Sequence, residues 1–221
     1  MKTTMHRTLG ISLVLTLALA GCSRQALQTP SAAGQSSNRS IAEYLDSIQV
    51  HPAVPGLIQP IFNREYVPAL HEALQNATKS IHIFIFTFRY YPNYPHDANS
   101  VIIGDLIAAK QRGVDVKVIM DCSSWNRSNT LKNKMVGDSL KKVGIEVYYD
   151  PVDITSHDKL VIVDDSLVFV GSHNWSYFAL ERNNEASVKV VSKEVARAYE
   201  EHFQSVLRLS TPEVPEYLLP R

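Results

Sequence analysis

The stretch from His157 to Asn174 leaves the chain few options. It holds two apolar, β-branched runs, Leu160-Val161-Ile162-Val163 and Leu167-Val168-Phe169-Val170, joined by the polar corner Asp164-Asp165-Ser166. Two such runs with a short polar joint read as a β-hairpin. With Asp165 and Ser166 as a two-residue loop, Asp164 pairs with Leu167, Lys159 with Ser172 and His157 with Asn174. Paired residues point the same way and side chains alternate along a strand. That register puts an imidazole, an ammonium, a hydroxyl and an amide on one face and sends Asp164 to the other as a structural residue. A slip of one residue scatters the set.

These four groups suit a phosphodiester. His157 can attack through one ring nitrogen if an acceptor holds the other, Lys159 supplies positive charge, and Ser172 and Asn174 supply neutral donors. A general acid for the leaving oxygen is missing, because one imidazole cannot attack and protonate the opposite side at once.

The spacing His157-x-Lys159-x4-Asp164-x6-Gly171-Ser172-x-Asn174 resembles the signature of the phospholipase D (HKD) superfamily. Two further elements resemble the same superfamily. One is Gln111-Arg112-Gly113-Val114 before an apolar run, and the other is Arg182-Asn183-Asn184-Glu185, whose Glu holds the nucleophilic His in that family. The resemblance runs from about Leu57 to Leu209. It implies a metal-independent cycle without cofactor, in which one His forms a phosphohistidine and a second protonates the leaving group. Superfamily enzymes take the second His from a second copy of the motif, and this chain has one copy. The short single-copy members that it resembles are nucleases that share one active site across a two-fold dimer, so a homodimer acting on nucleic acid is expected. A phospholipase D or phosphatidyltransferase acting on membrane lipids is the alternative.

The rest of the chain supports one catalytic domain over residues 57–221, preceded by processing segments. Met1 to Gly21 has a basic start and a short apolar core, as a secretory signal does. Leu19-Ala20-Gly21-Cys22 resembles a bacterial lipobox, which implies acylation of Cys22, a lipid anchor and a place in the cell envelope. Residues 22–56 then read as a tether, rich in Ser, Gln and Ala at first and in Pro later, with a short helix at Ile41–Ile48. Without residues 1–21 the chain has 20 basic and 22 acidic residues, so bulk charge offers no hold on a polyanion. Arg127, Lys132 and Lys134 are the local cluster expected to line a phosphate groove.

Strand and helix patterns alternate from Leu57 onward. Helices are expected over 64–77, 100–112, 129–143, a short one over 175–180, and a last one N-capped by Ser192. The strands are expected over 57–62, 80–88, 114–120, 145–149, the hairpin and 185–191. This order implies an α/β sandwich with parallel βαβ units first and antiparallel strands later. The last helix should bury Val195, Ala198, Tyr199, His202, Phe203 and Val206. His82 reads as a core histidine, Trp175 and Tyr177 as core aromatics, and His173 as facing away from the site. His71, His96, His202 and Cys122 show no metal-ligand spacing, and no metal site is expected.

Overall fold

The computed structural model describes residues 56–94 and 97–220. The signal, lipobox Cys22, most of the tether and the helix at 41–48 lie outside them. Seven strands form one sheet: β1 (Leu57–Phe62), β2 (Ser80–Ile85), β3 (Asp115–Met120), β4 (Glu146–Tyr149), β5 (Lys159–Val163), β6 (Leu167–Gly171) and β7 (Ala186–Val191). The helices are α1 (Tyr66–Asn76), α2 (Ala98–Gln111), α3 (Arg127–Lys141), α4 (Tyr177–Glu181) and α5 (Lys193–Leu207). The spatial order is β1-β7-β6-β5-β2-β3-β4. The β2-β3-β4 pairs are parallel and the rest antiparallel, as the alternation of patterns implied.

Each face of the sheet buries its own core. Ile81, Ile83, Val116, Val118, Val161 and Phe169 pack with the apolar residues of α1, α2 and α3. Phe84, Ile119, Leu160, Ile162 and Val168 pack on the other side with Ala196 and Phe203 of α5. The β2 run is apolar throughout because both its faces are covered. The helices stop where expected. Gly113 and Gly144 take φ of +88° and +83° just beyond α2 and α3, a conformation that a Cβ disfavours. Ser192 Oγ accepts from Val195 N at the start of α5. In that helix Ala196 is buried and His202 exposed, so His202 does not belong to the apolar stripe. His82 is buried, stacked 4.9 Å from Phe203 and bonded to Glu200 at 2.8 Å.

The hairpin register differs by one residue from the expected one. Val163 pairs with Leu167 and Leu160 with Val170, which leaves Asp164, Asp165 and Ser166 as a three-residue loop. Asp164 leaves the ladder because its carboxylate is used elsewhere. It accepts from Thr78 N, Thr78 Oγ1, Lys79 N and Ser80 N at 2.7–3.0 Å. It thereby fastens the hairpin tip to the turn before β2. Asp164 and Asp165 sit at φ of 51° and 59°, a left-handed conformation that Asp tolerates better than most residues.

Gly171 is fixed by sterics. A Cβ there would lie 2.4 Å from Ser187 Cα on β7, well inside contact distance. The six strand ends that matter then converge on one edge of the sheet. They are the C-terminal ends of β2, β3, β4 and β6 and the N-terminal ends of β5 and β7. In open α/β sheets the crevice beyond the strand ends is where ligands bind.

Burial works against ionised Asp164, but three backbone N–H donors and the Thr78 hydroxyl outweigh it and hold its carboxyl below the ordinary value. Its contribution is therefore complete above the ordinary carboxylate pKa and is lost as pH falls through the lowered one. Asp164→Ala should reduce the unfolding free energy at neutral pH by about 2–4 kcal/mol in urea titrations. A loss below about 0.5 kcal/mol would show the clamp to be incidental.

Candidate active site

The expected face of the hairpin does not build the site, since in the observed ladder His157 and Lys159 alternate out of phase with Ser172 and Asn174. The strand ends build it instead. Regular pairing stops at Lys159 and Gly171, and the two segments beyond take separate courses. Ser172 stays beside β7 through Ser172 N to Ala186 O at 2.9 Å. The next residues turn toward the end of β2, where Trp175 N donates to Thr87 O at 2.9 Å and Arg89 N to Trp175 O at 2.8 Å. Trp175 is buried edge-on against Phe88 and donates Nε1 to Tyr66 Oη at 3.2 Å, so it fills the core. Tyr177 is 39% exposed and lies against Arg182, so it does not.

His157 is exposed, and among the described residues neither ring nitrogen has a hydrogen-bond partner. Its ring centroid lies 4.8 Å from that of Phe86. Lys159 is 6% exposed, sits over the same Phe86 ring at 5.2 Å and donates Nζ to the His157 carbonyl at 2.5 Å. Burial lowers the Lys159 pKa, and the charges of Asp158, Glu185 and Asp121 oppose the shift. Glu185 is fixed by its neighbours. Ser172 Oγ and Asn183 Nδ2 donate to its carboxylate, and its own N–H donates to Asn63 Oδ1 at 2.8 Å. No hydrogen bond joins it to His157 in this structure. Asn174 Oδ1 is buried and unpartnered among the described residues. His173 is wholly buried, with Nδ1 on Ser187 Oγ at 2.7 Å, Nε2 on Asn63 O at 3.0 Å and its ring stacked on Tyr66.

The basic cluster is brought together only in part: Arg127 and Lys132 line one cavity with Tyr217 and Leu219, and Lys134 does not. Arg127 donates to the carbonyls of Leu218 and Leu219 at 2.7 and 2.5 Å. Lys134 pairs with Asp138 one turn along α3. Lys132 stays exposed. The two lysines fall on different sides of the helix, because a spacing of two residues turns about 200°.

A polar network behind His157 was not foreseen. Asp121, just past β3, is fully buried. It accepts from Ser156 N at 3.2 Å, Ser123 Oγ at 3.0 Å and Asn129 Nδ2 at 3.2 Å. Burial raises its pKa, while those three bonds and the charge of His157 act the other way. Asn129 and Asn133, both buried on α3, donate to Phe86 O at 2.9 Å. Asn133 also donates to Asp121 O at 3.0 Å. Their amide oxygens receive Arg89. Its Nη1 donates to Asn133 Oδ1 and Phe88 O at 3.0 Å each, and its Nη2 to Asn129 Oδ1 at 2.5 Å. The signal for this network was in the α3 stripe Asn129-Asn133-Val136-Gly137-Leu140, where two positions facing the core carry amides.

Cys122 is buried and free. Burial, reinforced by the charges of Asp150 and Asp121, pushes its thiol up to about 12, which makes it an inert core residue.

Residues 70–207 match the family described as "Cardiolipin synthase, PLD-like domain". The chain belongs to this phospholipase D-like family. It is 33% identical over 108 residues to a "Phospholipase D" of Rickettsia bellii, covering 49% of this chain and 51% of that protein. It is 34% identical over 96 residues to the "Mitochondrial cardiolipin hydrolase" of the dog, covering 43% and 36%. The match thus spans about half or less of these relatives' lengths. Among solved structures, Nuc from Salmonella typhimurium, a phospholipase D family member, superposes with a TM-score of 0.61 at 26% identity over 73% of this chain and all of Nuc. NucT from Helicobacter pylori shares the fold at a TM-score of 0.56 and 22% identity, over 70% of this chain and 99% of that one.

The phospholipase D-like core thus carries a second buried carboxyl behind the site. Burial pushes Asp150 up to about 7, and the charge of Asp121 adds to this, while bonds from Ser156 and Cys122 N oppose it. Asp150 Oδ2 has no partner among the described residues, as suits a neutral acid. The folded state thus holds this proton more tightly than the unfolded one. The stability this supplies is complete below about pH 4 and falls as pH rises to about 7, by at most about 4 kcal/mol. Urea titrations from pH 4 to 8 should show a shallower decline for Asp150→Asn than for the parent, and equal slopes would contradict the assignment.

Proposed function

We propose that the chain is a metal-independent phosphodiesterase that hydrolyses nucleic-acid phosphodiesters through a phosphohistidine on His157, at a site shared by two copies of the chain. The observation that carries this is an exposed imidazole without a hydrogen-bond partner among the described residues, set beside a buried ammonium. A ring nitrogen of His157 attacks phosphorus, a P–N bond forms, and the P–O bond to the leaving group breaks. Lys159, with Asn174 and Ser172, stabilises charge on the phosphoryl oxygens. Glu185, one bond from Ser172, keeps that hydroxyl in place. The leaving oxygen takes its proton from an imidazolium on the far side of the phosphate. Water then gives a proton to the same imidazole and attacks phosphorus, and the P–N bond breaks.

The far imidazole is assigned to His157 of the second copy. Within the chain, His173 has both nitrogens engaged in the core, and His202 lies on α5 beside Asp158 at 3.4 Å. An isologous dimer places the same residue on both sides of its axis. The short single-motif members that the sequence resembles are the ground for the nucleic-acid substrate.

The second reading is a phospholipase or phosphatidyltransferase. The names of the family and of the Rickettsia and dog relatives favour it, and an anchor on Cys22 in the cell envelope would keep the site near lipid. No helix among the described residues is long and apolar enough to cross a membrane.

Purified chain should cleave single- and double-stranded oligonucleotides in excess chelator, and His157→Ala should lose at least about a thousandfold in kcat. Loss of cleavage in chelator, or an active His157→Ala, would overturn the mechanism. Headgroup release from phospholipid vesicles with oligonucleotides left intact would favour the second reading. Sedimentation should show an active dimer, and full activity in a strict monomer would remove the shared site.

A further inference from the structure

Arg89 is a half-buried cation whose neighbours do not neutralise it. Its partners are the Phe88 carbonyl and the amide oxygens of Asn129 and Asn133. Among the described residues no carboxylate lies within 4.0 Å of it. A guanidinium that gives up water for neutral oxygens keeps its full charge and loses hydration, so an anion placed beside it gains more than it would in open solvent. Three bonds on Nη1 and Nη2 leave at least two of the five guanidinium N–H donors free.

The position is built. Asn129 and Asn133 are both buried and each uses its two ends, with the oxygen on Arg89 and the NH2 on Phe86 O. Phe86 is the ring on which His157 and Lys159 rest. Arg89 N is bonded to Trp175, the residue after Asn174. The same two amides that bond the Phe86 carbonyl therefore also hold the guanidinium. Arg89 is also one amide away from Asp121, through Asn129.

We propose that Arg89 binds a second phosphate of the substrate, adjacent to the one that His157 attacks. The preferred substrate class is then a compound with two neighbouring phosphodiesters. Successive phosphates of a polynucleotide meet this requirement, and so do the two phosphates of a diphosphatidyl lipid. Lipids with one phosphodiester do not. The inference rests on the phosphodiesterase reading above and narrows it.

Paired compounds test it. A dinucleoside monophosphate and a trinucleoside diphosphate differ by one phosphodiester, as do phosphatidylglycerol and cardiolipin in mixed micelles. The parent should favour the two-phosphate member of the cleaved pair by about ten- to a hundredfold in kcat/KM. Arg89→Gln should bring that ratio close to one, the two-phosphate member losing about ten- to a hundredfold more than the one-phosphate member. The pair that is cleaved identifies the source of the second phosphate. A purely structural Arg89 would lower both members alike, which overturns the proposal. So does a parent that shows no preference. If Arg89→Gln does not fold, Arg89→Lys should keep only part of the preference, since the planar fork is lost and the charge remains, and an unchanged ratio there overturns it. If no compound is cleaved, the phosphodiesterase reading falls. The same ratio, measured as equilibrium binding to the parent, still decides for or against Arg89.

Discussion

The site depends on one carbonyl. Phe86 O lies half-buried at the end of the central strand, where the ladder with its neighbours has stopped. A buried backbone acceptor left without a donor costs roughly 1–3 kcal/mol. Asn129 and Asn133, one helical turn apart on α3, both donate to it. That choice sets the rest. Two amides turned toward Phe86 present two oxygens the other way, and a strand-end arginine takes both. Asn133 also reaches back to the Asp121 carbonyl and Asn129 to its carboxylate, so the ends of β2 and β3 and the start of α3 are held as one unit. Phe86 then offers a fixed ring to His157 and Lys159.

The division between exposed and buried groups follows from this base. His157 stands in solvent and is free to meet a phosphate. Lys159 is almost wholly covered, and burial lowers its pKa against the pull of three carboxylates. Asp121 and Asp150 lie behind both, and burial raises their pKa values. Lys159 and Arg89 thus place two cations near these strand ends in a chain whose overall charge is zero.

Much of this was legible in the order of residues. The apolar periods and their Gly, Ser and Pro boundaries fixed the element types because each is a local property, and the parallel-then-antiparallel order followed from the connections. The site motif was legible as spacing. Its geometry was not, because hairpin register depends on where Asp164 finds its donors, and those lie some eighty residues earlier in sequence, at Thr78 to Ser80. The setting of the basic residues of α3 was legible only in part, for a similar reason. Arg127 answers to carbonyls near the C-terminus, which no local pattern announces. Asn129 and Asn133 could have been noticed, since amides at buried helical spacing need partners. Arg89 could be interpreted only once those partners were known.

The central claim is that one imidazole per chain, on His157, carries the phosphoryl group. Rapid acid-free quenching of the chain with substrate, followed by peptide mass spectrometry, tests it most directly. The account predicts a phosphoryl adduct on the peptide that contains His157, stable to base, labile to acid, and absent from the His157→Ala chain. Turnover with no adduct on any histidine, or with the adduct on another residue, would contradict it.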